Sequence, residues 1–152
     1  MISEKDPKRY GKNLTKKAIG GELDFLALDK KGNIRLIEYK HGNNTSGIYL
    51  SPLQIGLYSD IYSGLNRGSL ISAIYDMIEQ KKKIGLINPV WRTPKITGNI
   101  IPVLIISDFN PKSSAKVKYD EILTLVRAHQ KGPFLENIET YTYTTEGGLA
   151  NW

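Results

Sequence analysis

Hydrophobic and polar positions follow two periods along this chain, and the changes of period mark its elements. Alternation of period two runs through Glu22-Leu-Asp-Phe-Leu-Ala-Leu-Asp29 and again through Asn33-Ile-Arg-Leu-Ile-Glu-Tyr-Lys40, which predicts two strands. Between them, Lys30-Lys31-Gly32 is a connection of hairpin length. Residues 41–47, rich in Gly, Asn and Ser, read as a loop. From Pro52 the spacing turns helical, with Leu53, Leu57 and Ile61 on one stripe and Gln54 and Tyr58 on the next. Ser51 is the expected N-cap, with Pro52 at the first helical position. Gly64 and Gly68 predict a break before a second helix over 69–83, and Pro89, Pro94 and Gly98 make 86–99 an irregular loop. The apolar run Ile100-Ile-Pro-Val-Leu-Ile-Ile-Ser107 predicts a central strand covered on both faces. A helix over 113–131, stopped by Gly132-Pro133, and an alternating strand over 138–144 complete the order, and the tail reads as loose. With a short helix or arm in the polar, basic first dozen residues, the order implies an α/β domain built on a mixed central β-sheet flanked by helices.

Composition narrows the function classes. The 152 residues suit a single domain, 1–152, with its own core. With 40% hydrophobic and 24% charged residues, the chain is neither disordered nor fibrous. No cysteine is present, which removes disulfide scaffolds, zinc–thiolate sites, iron–sulfur clusters and thiol catalysis, and fits a reducing, cytoplasmic setting. No apolar run approaches the roughly 18 residues of a membrane span, and the N-terminus has no apolar signal core. The charge of +6 and pI near 9.4 suit a polyanionic partner.

The hairpin carries the candidate chemistry. A three-residue loop ending in Gly32 pairs Asp29 with Asn33, Leu28 with Ile34, Leu26 with Leu36 and Asp24 with Glu38. One face of the hairpin then changes from Leu/Ile to Asp24, Glu38, Lys40 and Glu22. Facing side chains lie roughly 4.5–5.5 Å apart at Cβ, so the two carboxylates repel unless a cation separates them or one is protonated. Hard divalent ions accept one or two carboxylates and leave positions for water and phosphate. Lys40 stands one pleat beyond Glu38, where it can orient a water or offset phosphate charge. A loop one residue longer would put Asp24 and Glu38 on opposite faces and dissolve the site.

Asp24, thirteen residues, then Glu38-Tyr39-Lys40 resembles the bipartite motif of the PD-(D/E)XK nucleases, and Gln54-Ile-Gly-Leu-Tyr58 is similar to the Q-x-x-x-Y signature of their RecB-type branch. The resemblance implies a restriction-endonuclease-like core that hydrolyses DNA phosphodiester bonds with Mg²⁺ or Mn²⁺. It implies Asp24, Glu38 and the Tyr39 carbonyl as metal ligands, Lys40 as the catalytic lysine, and Gln54 and Tyr58 as supports of the site or contacts to the substrate backbone. Some members add a glutamate from an N-terminal helix, for which Glu4 is the candidate. Leu23 stands where the motif's proline would be, and the absence of cysteine excludes the iron–sulfur relatives. Without helicase motifs or a recognition domain, specificity falls to a homodimer, a larger complex or DNA structure. The alternatives are a Holliday-junction-resolvase-like endonuclease and a non-catalytic nucleic-acid-binding subunit of the same fold.

Other residues add secondary candidates. His41, next to Lys40, can reach metal or phosphate, and Trp91, Arg92 and Lys95 combine an aromatic with cations in a Pro-bounded loop suited to nucleic acid. Lys81, Lys82 and Lys83 end a helix, where cations suit its dipole, and His129 reads as structural or surface. A surface bridge between Glu22 and Lys40 is the plain alternative to a site.

Overall fold

The computed structural model describes residues 22–129 and 137–152. The helix or arm expected in the first dozen residues, and Glu4 with it, lies outside them. Five strands form one mixed sheet in the order β1 (Phe25–Leu28), β2 (Ile34–His41), β3 (Ile100–Ser107), β4 (Glu139–Thr144), β5 (Gly148–Asn151). β1 and β2 are antiparallel, β2, β3 and β4 parallel, and β5 antiparallel to β4. Helices α1 (Thr45–Ser63) and α2 (Arg67–Lys83) connect β2 to β3, and α3 (Ala115–His129) follows β3. No helix among the described residues is long and apolar enough to cross a membrane.

The hairpin closes as its sequence dictates. Gly32 takes φ 82°, the left-handed position that ends such a loop, and its N–H donates to the Asp29 carbonyl at 3.0 Å. A Cβ at Gly32 would collide with the Lys95 carbonyl, so both backbone angle and space demand glycine. The register follows: Leu28 pairs with Ile34, Leu26 with Leu36 and Phe25 with Ile37. β1 is shorter than expected, with Asp24 in a bend just before it.

Further boundaries differ from the sequence expectation. α1 begins at Thr45, so Pro52 lies inside it and the cap is Asn44, whose side chain accepts from the Gly47 N–H at 2.9 Å. An interior proline leaves the carbonyl four residues back without its donor. Ser51, expected as the cap, supplies that donor instead: its Oγ donates to the Ile48 carbonyl at 2.6 Å. α2 starts at Arg67, capped by the Asn66 side chain, which accepts from Ser69 N–H at 3.0 Å. The tail is not loose. It turns back through Gly148, φ 68°, to form β5, and Trp152 packs edge-to-face against Phe109 and Tyr119.

Alternation along the strands decides the layers. Ile34 and Leu36 of β2 pack with Tyr58 of α1, Ile74 and Ile78 of α2, and Ile96. Leu104 and Ile106 of β3 pack with Ile48 and Ile55 of α1 and with Ala115, Tyr119 and Leu123 of α3. These strand positions share one face, so all three described helices cover that face. On the other face of β3, Val103 and Ser107 are buried while Ile101 and Ile105 are half-buried, a lighter cover than the apolar run implied. In α1 the buried side is Ile48, Ile55 and Tyr58; of the stripe Leu53, Leu57 and Ile61, Leu53 is exposed and the other two are half-buried.

Replacing Ser51 by Ala should strand the buried Ile48 carbonyl and cost about 1–3 kcal/mol of stability. Urea unfolding of the variant measures it, and an unchanged midpoint would remove Ser51 from this role.

Candidate metal and phosphate site

β2 runs from apolar to charged along its helix-covered face. Ile34 and Leu36 fill the core, and the next two positions on that face are Glu38 and Lys40. Beside Glu38 in the parallel ladder stands Leu104, and beside Lys40 stands Ile106. Glu38 is therefore enclosed by core residues and only 1% exposed. Lys40 bends back so that its Nζ donates to Glu38 Oε1, with its side chain 14% exposed. The other carboxylate oxygen, Glu38 Oε2, is buried and accepts no hydrogen bond. Burial of this kind is costly unless something completes the coordination.

Asp24 arrives at the same place from the end of β1. Its Oδ2 accepts from the Tyr39 backbone N–H at 2.8 Å, which anchors the exposed bend to β2. In an extended strand a residue's N–H and C=O point toward the same neighbour, so the Tyr39 carbonyl is directed to this edge as well. The Tyr39 ring, on the opposite face, is exposed. Burial holds the Glu38 carboxyl above the usual carboxylate range; the Lys40 ammonium opposes this, and repulsion from Asp24 adds to it.

The site is fixed from both flanks. On α1, which covers the same face of the sheet, Gln54 Nε2 donates to the Tyr58 hydroxyl at 3.1 Å. Tyr58 itself is buried against Ile34 and Leu36. Gln54 is half-buried, and its bond to Tyr58 runs along α1 itself; it is the buried Tyr58 that packs the helix on β2. At the strand end the Gly42 N–H donates to the Ser107 carbonyl at 2.6 Å, and a Cβ at Gly42 would collide with the Asp108 carbonyl. Gly42, which the sequence marks only as a loop residue, lets β2 close against the end of β3 just before the chain turns into α1. Asp108 sits at φ 49° there.

The remaining candidates are placed as follows. His41, on the opposite face from Lys40 by alternation, lies at the strand end, 3.7 Å from the Asp108 carboxylate, with both side chains exposed. Lys95 is held beside Gly32 at the other end of β2. Trp91 and Arg92 are exposed in the same loop, and among the described residues no contact joins them to Asp24, Glu38 or Lys40. Glu22 is exposed and unpaired with Lys40, whose carboxylate partner is Glu38. The side chain of His129 lies outside the described residues.

Among the described residues no three His, Cys, Asp or Glu side chains form a metal-holding group. A metal here would draw on two carboxylates and a carbonyl, all hard oxygen donors, a set that matches Mg²⁺ better than a soft or nitrogen-seeking ion. Comparison with protein families, curated proteins and solved structures returned no match.

Because Glu38 holds its proton more tightly in the folded chain than in the unfolded one, stability falls as pH rises from the unfolded carboxylate value, about 4.3, through the raised folded value. Glu38→Gln, a neutral isostere, should therefore melt higher than the parent chain at pH 7 and lose that advantage below about pH 4. Thermal melts at both pH values test this; a lower melting temperature at pH 7 would show the ionised Glu38 to be stabilising.

Proposed function

We propose that this chain is a metal-dependent nuclease that hydrolyses DNA phosphodiester bonds on a restriction-endonuclease-like core. The observation that carries the reading is the buried, unpartnered Glu38 Oε2 beside the Asp24 carboxylate. A structural ion pair between Glu38 and Lys40 alone would not call for a second acid at the same spot. The order of two antiparallel strands, helices and two further parallel strands agrees with that core.

Asp24 and Glu38 would hold Mg²⁺ or Mn²⁺, with the Tyr39 carbonyl as a third oxygen. When bound, such an ion acidifies a water and withdraws charge from a phosphate. Glu38 keeps Lys40 within reach of the scissile group, where its ammonium orients the attacking water and offsets charge on the phosphate. Tyr58, packed with Ile34 and Leu36, seats α1 over β2, and Gln54 is bonded to its hydroxyl. Tyr58 is buried, so its part in the reaction is to position and not to touch substrate.

Incubating linear, circular, single-stranded and branched DNA with the protein and Mg²⁺ or Mn²⁺ tests the proposal. Cleavage should require the ion and vanish in EDTA. Asp24→Ala, Glu38→Ala and Lys40→Ala should each lower it by about a hundredfold or more, a loss of ~2.7 kcal/mol of transition-state stabilisation. Cleavage in EDTA, or at the parent rate by any of the three variants, would overturn it.

A further inference from the structure

Three lysines meet at the end of the hairpin farthest from the carboxylates. Lys30 and Lys31 form its turn, and Lys95 is brought beside them because its carbonyl packs on Gly32. The approach is fixed by Thr97, whose N–H donates to the Gly32 carbonyl at 2.9 Å and whose Oγ1 donates to Asn33 Oδ1 at 3.1 Å. Ile96, between Lys95 and Thr97, is anchored in the core. All three lysines are exposed, and none has a carboxylate partner among the described residues. The nearest acid, Asp29, is already engaged by the Asn33 side chain and by Arg35. Three lysines thus stand on adjoining backbone with no ion pair to a carboxylate among the described residues, the Asp29 carboxylate in the same turn accepting from the Lys31 backbone N–H at 2.9 Å.

The placement of this cluster relative to the carboxylates has a definite scale. Among the described residues β1 is an edge strand of the sheet, with Asp24 just before one end and Lys30 just beyond the other. Six residue steps separate them, four of the residues in β1, so the span is at most about 20 Å at the usual strand rise. Phosphates along one strand of a DNA duplex repeat every ~3.4 Å of its axis, so the same span is at most about six base pairs.

We infer that the Lys30–Lys31–Lys95 cluster grips the phosphate backbone of duplex DNA lying along the β1 edge, within about six base pairs of the phosphate at the Asp24–Glu38 site. The identity of the occupant rests on the nuclease reading of that site; the grip itself needs no metal and no chemistry. Lysine contacts to phosphates are sequence-independent and strongly salt-dependent.

Fluorescence anisotropy of a labelled 20-base-pair duplex with the full chain, in EDTA across a salt series, tests this separately from cleavage. Lys30→Gln/Lys31→Gln/Lys95→Gln should weaken binding about tenfold or more and lower the slope of log affinity against log salt by roughly 2–3. Lys81→Gln/Lys82→Gln/Lys83→Gln removes the same charge from the end of α2 and should leave both nearly unchanged. Equal losses from the two triple variants would mean net charge alone is being read, and would overturn the inference. So would parent-like binding by the hairpin variant, or no duplex binding by the parent chain. Failure of cleavage with this pattern of binding intact would count against the nuclease reading and leave the grip standing.

Discussion

A carboxylate on the core-facing side of a central strand is the constraint around which this molecule is arranged. Glu38 follows Ile34 and Leu36 on the same face of β2 and is buried as deeply as they are. Charge in such a place is tolerated only with a partner. Lys40 satisfies one oxygen and leaves the other open, while Asp24 adds a second negative charge. The ammonium lowers the cost of ionising Glu38 and does not cancel it, since the carboxyl still holds its proton above the ordinary range. A fold selected for stability alone would place an apolar side chain there.

The rest of the architecture serves that position. β3 lies parallel to β2 and supplies Leu104 and Ile106 beside the charged pair, excluding water from their flank. α1 covers the same face and would be broken by Pro52 if Ser51 did not supply the missing donor to Ile48. Gly42 lets the end of β2 close on the end of β3, and the Asp24 carboxylate ties the start of β1 to the backbone of Tyr39. Few of these contacts are individually large. Their common effect is to keep two acids and an ammonium at one point of the sheet.

Much of this arrangement is legible from residue order. Lys-Lys-Gly before a second alternating run determines both loop length and register, which holds from Leu28–Ile34 to Phe25–Ile37; the expected Asp24–Glu38 ladder pair is not formed, because β1 begins at Phe25 and Asp24 reaches Glu38 from a bend. The apolar run of β3 is long enough to be unmistakable, and its bounds agree with the structure. The start of α1 was hidden because proline usually opens helices and seldom sits inside them, so Pro52 masks the seven residues before it. β5 was hidden because four residues after a Gly-Gly turn carry too little pattern to announce a strand. The partner of Lys40 could not be read either: period-two spacing brings Glu22, Asp24 and Glu38 within its reach, and only the depth of burial selects Glu38. The bond from the Tyr39 N–H to Asp24 has no signature in the sequence, because it depends on where β1 begins.

The account stands or falls on whether the open oxygen of Glu38 is a ligand position. Crystals of the full chain soaked in Mn²⁺ and measured at the manganese absorption edge address this directly. The account predicts one anomalous peak in contact with both the Asp24 carboxylate and Glu38 Oε2, with Lys40 still bonded to Glu38 Oε1. No peak between the two acids, at saturating Mn²⁺, would contradict it.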